Sequence, residues 1–267
     1  MSTYLAVFRI RFSAGLQYRA AALGGVATQF VWGFMLLLQF SAFYRADPTA
    51  FPMEMSQVVS YIWMQQAFLA LFMSWFFDQE IFNSITSGSI AYEMARPVDL
   101  YNRWFCHSVA NRLSRAVLRC MPILVIAFFL PEPFRMTLPE SFQQFALFLL
   151  SVTLSLGVVV SFAMLIYISV FYTLSPLGMR IIAAVGSDFL AGALIPLPFF
   201  PDGIRQVAEL LPFAAMQNMP LRIYSGNIYG IDAWHGILLQ VFWLIVMVLL
   251  GKFAMKRALQ KVVVQGG

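Results

Sequence analysis

The residues able to do chemistry are concentrated between Asp78 and Arg119, DQEIFNSITSGSIAYEMARPVDLYNRWFCHSVANRLSRAVLR. This interval holds four acids, Asp78, Glu80, Glu93 and Asp99, and five arginines, Arg96, Arg103, Arg112, Arg115 and Arg119. Mixed charge on short, broken segments makes ion pairs and docking contacts; it does not by itself make or break bonds. Elsewhere the parts of a reaction centre are missing. The only Gly-Lys pair, Gly251-Lys252, is followed by Phe253, so no phosphate-cradling G-x-x-x-x-G-K-[ST] loop is present. Neither H-E-x-x-H nor G-x-S-x-G occurs, and His107 and His235 fall at opposite ends of the expected topology. The sequence therefore predicts neither a metal site nor catalysis by this chain, and Cys106 and Cys120 read as free thiols. Asp188, in AAVGSDFLAG, is the one acid expected inside an apolar segment. An ionisable group there is a functional candidate by default. It serves either as a pathway group or as a helix-to-helix hydrogen-bond partner, for instance with Ser187.

Composition sets what must position these residues. The chain is 61% hydrophobic and only 11% charged, with a mean hydropathy of +0.77. Soluble domains carry about 25% charged residues, so this is an all-α polytopic membrane protein. Its net charge of +5 sits at the ends of apolar segments and implies no nucleic acid. Apolar segments near the required length of about 20 residues are expected at 21–44, 58–77, 108–130, 142–174, 177–197 and 234–254, giving six spans. Residues 1–19 read as a basic amphipathic helix in the interface. Within 142–174, Ser151/Ser155 and Gly157/Ser161 space small residues four apart for a close helix approach.

Prolines divide the segment before the last span. Pro196, Pro198 and Pro201 stop the fifth span, and Pro212 opens a second short helix that Ser225-Gly226 stops. Asp202 is expected to N-cap the first short helix, with Arg205 and Glu209 paired. Two helices too short to cross predict a re-entrant or interfacial hairpin over 198–226. Charge then fixes the orientation. With the N-terminus inside, all of the 17 basic residues but Arg45, Arg135, Arg205 and Arg222 lie on the cytoplasmic side, a strong positive-inside bias. Both termini are then cytoplasmic, and the polar interval 78–107 is a cytoplasmic loop.

Within that loop Asp99 is placed to cap the helix running into the third span. Arg112, Arg115 and Arg119, at i, i+3 and i+7, share a helical face. They are expected to meet inner-leaflet phosphates or a partner's acids; anchoring alone would suffice for them. It would not explain the broken, mixed-charge segment 79–97, which reads as a docking element.

The chain resembles permease subunits of ABC exporters of the ABC-2 type, in the compact bacterial branch. The resemblance rests on the E-x-x-R-P element Glu93-Met94-Ala95-Arg96-Pro97, followed by Val98-Asp99-Leu100-Tyr101. It rests also on Ile195-Pro196-Leu197-Pro198-Phe199-Phe200-Pro201 with Leu211-Pro212-Phe213 before the last span. It implies two permeases, identical or sister chains, above two separate ATP-binding subunits in the bacterial cytoplasmic membrane, with ATP and Mg held by those subunits and no cofactor on this chain. It also implies an ATPase-coupling contact through Glu80, Ile85, Gly88, Glu93, Arg96 and Pro97, with Glu93 and Arg96 as its charged pair. An external gate would involve Pro196, Pro198, Pro201 and Pro212. Hydrophobic or amphipathic cargo, such as a drug, lipid or peptide, suits the Phe- and Met-rich composition. The competing reading is an ion-coupled secondary carrier using Asp188.

Overall fold

Lipid offers no hydrogen-bond partner to a peptide group, so an apolar chain must satisfy its backbone internally, and helices do this best. The computed structural model describes residues 3–261, and among them every regular element is helical. Residues 1–2 of the expected interfacial segment, and 262–267, lie outside the described residues. In chain order the helices are α1 (Thr3–Gly15), α2 (Arg19–Ala46), α3 (Met55–Ala67), α4 (Leu69–Phe72), α5 (Gln79–Thr86), α6 (Ile90–Met94) and α7 (Leu100–Phe129). There follow α8 (Phe142–Thr173), α9 (Pro176–Leu190), α10 (Asp202–Leu210), α11 (Pro212–Met216), α12 (Asn218–Tyr224) and α13 (Gly230–Leu259).

Among the described residues three helices, α2, α8 and α13, are both long and apolar enough to cross a membrane. Helix α7 has 30 residues but carries Arg103, Arg112, Arg115 and Arg119. The expected span 58–77 is instead a broken helix: α3 ends at Ala67, α4 at Phe72, and 73–78 is unwound. The expected span 177–197 also stops short. Helix α9 has 15 residues, a rise of about 22 Å, and ends before the prolines because Gly192 turns the chain at φ +76°.

Helix α8 is the centre of the bundle, touching α4, α5, α7, α9, α11, α12 and α13. Its small residues serve the close approach that their spacing predicts. Ser151, Ser155 and Ser161 are fully buried, and a Cβ on Gly157 would lie 2.8 Å from Leu244 on α13.

The segment before α13 has three helical pieces rather than two. Pro220 has no N–H to give Met216, so the helix begun at Pro212 breaks at Gln217 and restarts as α12. Side chains of the long helices serve the freed backbone groups. Ser155 Oγ donates to Met216 O and Gln240 Nε2 to Ala215 O at 2.9 Å. Gln144 Nε2 donates to Ile223 O and Tyr224 O, each at 2.9 Å, and Trp243 Nε1 to Leu210 O at 2.9 Å. Pro201 precedes α10 and Asp202 is its first residue, without a side-chain cap. The expected Arg205–Glu209 pair is absent. Arg205 bonds Asp202 at 2.7 Å, and Glu209 bonds Arg222 at 2.5 Å.

Gln240 also accepts from Ser151 Oγ at 2.8 Å, so it ties α8, α11 and α13 together in one fully buried knot. Gln240→Leu keeps the volume and orphans these groups, at about 1–3 kcal/mol for each. A lower thermal midpoint of the purified chain is expected; melting together with the wild type would contradict this account of the hairpin.

Candidate functional site

The unwound strap 73–78 joins α4 to the two short helices that follow it, and side chains from three neighbouring helices hold it. A chain leaving a helix has carbonyls with no partner. Here Arg112, 1% exposed, supplies one. Its Nη1 donates to Met73 O at 2.7 Å and to Leu71 O at 3.3 Å, and its Nη2 donates to Phe76 O at 2.9 Å. A planar guanidinium with fixed, divergent donors can serve several acceptors at once, which an ammonium on a flexible stem does less well.

Three further contacts fix the strap. Ser74 Oγ donates to Asp188 Oδ1 on α9 at 2.5 Å. The Asp78 N–H donates to Tyr167 Oη on α8 at 2.7 Å. On α7 the Arg115 guanidinium lies 3.9 Å from the Phe76 ring centroid. The Asp78 carboxylate does two jobs. Oδ1 caps α5 by accepting from Glu80 N–H at 2.9 Å, while Oδ2 accepts from Asn111 Nδ2 at 2.7 Å. His107 Nε2 lies 3.2 Å from the same Oδ2 and 3.1 Å from Asn111 Nδ2.

Helices α5 and α6 project from this joint. Ile81, Phe82 and Ile85 are buried. Phe82 packs at 5.0 Å from Tyr167, with Phe77 at 5.7 Å and Trp104 beside the same tyrosine at 6.2 Å. A Gly88 turn at φ +76°, a conformation that other residues resist, reverses the chain into α6. Glu93 Oε2 accepts from Trp104 Nε1 at 2.8 Å and lies 3.4 Å from Arg103, which fastens α6 to α7. At the start of α7, Asp99 accepts from Asn102 N–H at 2.7 Å, the cap expected of it. Glu80 meets Arg11 at 2.6 Å, and this hydrogen bond holds the Glu80 carboxyl below its usual range. Helix α1 is thereby joined to α5. It is held to α7 by Cys106 Sγ on Tyr4 O at 3.2 Å and by Gly15, whose Cβ would collide with Ser114.

These placements revise several expectations. Arg112 does not reach inner-leaflet phosphates or a partner, because it is spent inside on backbone carbonyls. Arg115 and Arg119 follow on the same face of α7, the first exposed and the second half-buried. Glu93 is not half of an outward charged pair, since its carboxylate ties α6 to Trp104; Arg96 and Pro97 are exposed. Ile85 belongs to the seat of α5 and not to its outer face. Asp188 bonds Ser74, whereas Ser187 donates to its own Ala183 O at 2.5 Å. Of the outer prolines, Pro196 and Pro198 are buried, and Pro201 and Pro212 open helices. Sequence reasoning missed Tyr92, 79% exposed, and Met94, 39% exposed, on α6. Two apolar side chains on a charged, non-spanning protrusion were the available signal.

The buried imidazole gives the joint a pH dependence. Burial, only partly opposed by the Asp78 charge, holds His107 below its ordinary value of 6.5. The folded chain therefore resists a proton that the unfolded chain accepts as the pH drops through about 6.5. Stability is full above that pH and declines below it. Thermal midpoints measured from pH 8 to pH 5 are expected to fall, and the slope should flatten in His107→Gln; parallel slopes for the two proteins would contradict the assignment.

A family model described as ABC-2 family transporter protein matches residues 30–266, which takes in α3 to α13 and most of α2. No curated protein matches the chain.

Proposed function

The chain belongs to the ABC-2 transporter family, and from that premise we propose that it is the membrane permease of an ATP-driven exporter in a bacterial cytoplasmic membrane. Six segments cross: α2, α3 with α4, α7 from residue 108 onward, α8, α9 with the irregular chain after it, and α13. Both termini lie inside, as the distribution of arginine and lysine favours. Two permeases, identical or sister chains, enclose the path, and two ATP-binding subunits with their ATP and Mg dock beneath them.

The observation that carries this reading is the construction of α5 and α6. Tyr92, Met94, Arg96 and the Gly88 turn are exposed, while Glu93, Phe82 and Asp78 bond the same element to the long helices. An element free on one side and tied to several helices on the other suits transmission of a push. Closure of the ATP-binding subunits drives α5 and α6 upward. The strap passes the displacement to α4 and α9, and the Glu93–Trp104 bond passes it to α7. At the far end α10 to α12 act as the external gate, released as α8 and α13 shift. The cargo is hydrophobic or amphipathic, in keeping with a largely aromatic and aliphatic interior.

Reconstitution into vesicles with the ATP-binding subunit tests the reading. ATP hydrolysis attributable to the complex should rise, and an amphipathic dye should move only when ATP is supplied. Unchanged hydrolysis, or movement under an ion gradient alone, would overturn it in favour of a carrier.

A further inference from the structure

A cavity of about 630 Å³ opens between α1, the foot of α2, the strap and α7. Three arginines, Arg11, Arg115 and Arg119, and two acids, Asp78 and Glu80, line it. The acids are already engaged: Glu80 by Arg11 at 2.6 Å, Asp78 by Asn111 at 2.7 Å and by His107. Arg115 and Arg119, one turn apart on α7, form no ion pair within 4 Å among the described residues. Arg115 rests on the Phe76 ring. Arg119 lies against α2 where Gly25 leaves room, its guanidinium carbon 2.6 Å from the place of a Cβ, and its Nε is buried with no hydrogen-bond partner. Two like charges held side by side, one with an unserved donor, call for a bound anion.

The rest of the wall narrows the chemistry. Ala21 and Ala22 on α2 and Leu118 on α7 give the cavity an apolar side, continuous with the two helices that lead into the membrane. A free ion would leave that side wet. We propose that the cavity holds an anionic phospholipid, its phosphate against Arg115 and Arg119 and an acyl chain along the Ala21–Leu118 side. The assignment to the inner leaflet rests on the topology proposed above. The lipid then bridges α1, α2 and α7 beside the strap, where its presence would stiffen the joint.

The test uses the purified full chain, delipidated in detergent and titrated separately with phosphatidylglycerol, phosphatidylcholine and inorganic phosphate. Bound lipid is read by native mass spectrometry and stability by thermal midpoint. Phosphatidylglycerol should be retained and should raise the midpoint, and the other two should do neither. One basic residue near an anionic surface is worth roughly fivefold in affinity, so Arg115→Gln with Arg119→Gln should weaken retention about 25-fold. Lys256→Gln, outside the cavity lining, should not. Ala21→Trp, at an exposed position, fills the cavity without altering charge and should also expel the lipid. Equal retention of phosphatidylcholine, an equal response to inorganic phosphate, or unchanged retention in both Ala21→Trp and the double glutamine variant would overturn the proposal. No ATP-binding subunit enters the measurement, so its outcome is separate from that of the vesicle experiment.

Discussion

Arg112→Ala will uncouple the short helices α5 and α6 from the membrane bundle and destabilise the chain more than any other single substitution considered for the joint. Three carbonyls, of Leu71, Met73 and Phe76, lose their donor together. A buried acceptor left unserved costs about 1–3 kcal/mol, so the loss is about 3 kcal/mol or more. Water can recover some of it only by entering a site that is otherwise closed. Arg112→Lys keeps the charge but cannot reproduce the guanidinium's fixed donor geometry. The lysine variant should therefore melt between the wild type and the alanine variant, with the same rank order in ATP-driven transport. If the alanine variant melts with the wild type and transports normally, the strap is not held in the way described. Arg115→Ala supplies the contrast. Arg115 is exposed and contacts the strap through the Phe76 ring alone, a contact worth about 0.5–1 kcal/mol at such a site.

The reason this joint was hidden in the sequence is physical. Residues 73–78 read MSWFFD and extend an apolar run, so span-length reasoning carried the second helix through to Phe77. What unwinds the chain is an arginine 36 to 41 positions further on, reaching carbonyls that no local pattern marks. The same arginine looked like a surface cation because its i+3 and i+7 neighbours are arginines; the bundle buries the first of the row, half-buries Arg119 and leaves Arg115 exposed. By contrast α2, α8 and α13 were legible to within a few residues, because unbroken apolar length alone decides them. Caps and helix starts were legible where the signal is local, as at Asp99 and Pro212. The three-piece hairpin was half legible. Its prolines announced breaks, but the side chains that serve the broken ends, Ser155, Gln240 and Trp243, lie on helices distant in sequence. Glu93 was singled out for its motif as half of a coupling pair, yet its partner is Trp104 in its own chain.

That reassignment separates two variants which sequence reasoning would group together. Tyr92→Ala with Arg96→Ala removes the outward side chains of α6 and its following turn while leaving the attachment of α6 intact. Tyrosine and arginine are the residue types whose truncation most often costs 2 kcal/mol or more at an interface, equivalent to about a 30-fold loss of affinity. The double variant should therefore fold and melt as the wild type does, but recover far less ATP-binding subunit on copurification. Glu93→Ala should do the reverse. It strands Trp104 Nε1 without an acceptor, which costs about 1–3 kcal/mol, and lowers the thermal midpoint before it affects docking. Glu93→Gln keeps an oxygen for the tryptophan and should restore most of that loss, although a charged pair with the partner would be gone. The pairing of the two measurements is decisive. If Glu93→Gln loses the ATP-binding subunit as completely as the Tyr92 and Arg96 double variant does, Glu93 faces the partner after all, and the outward surface of α6 has been drawn on the wrong side.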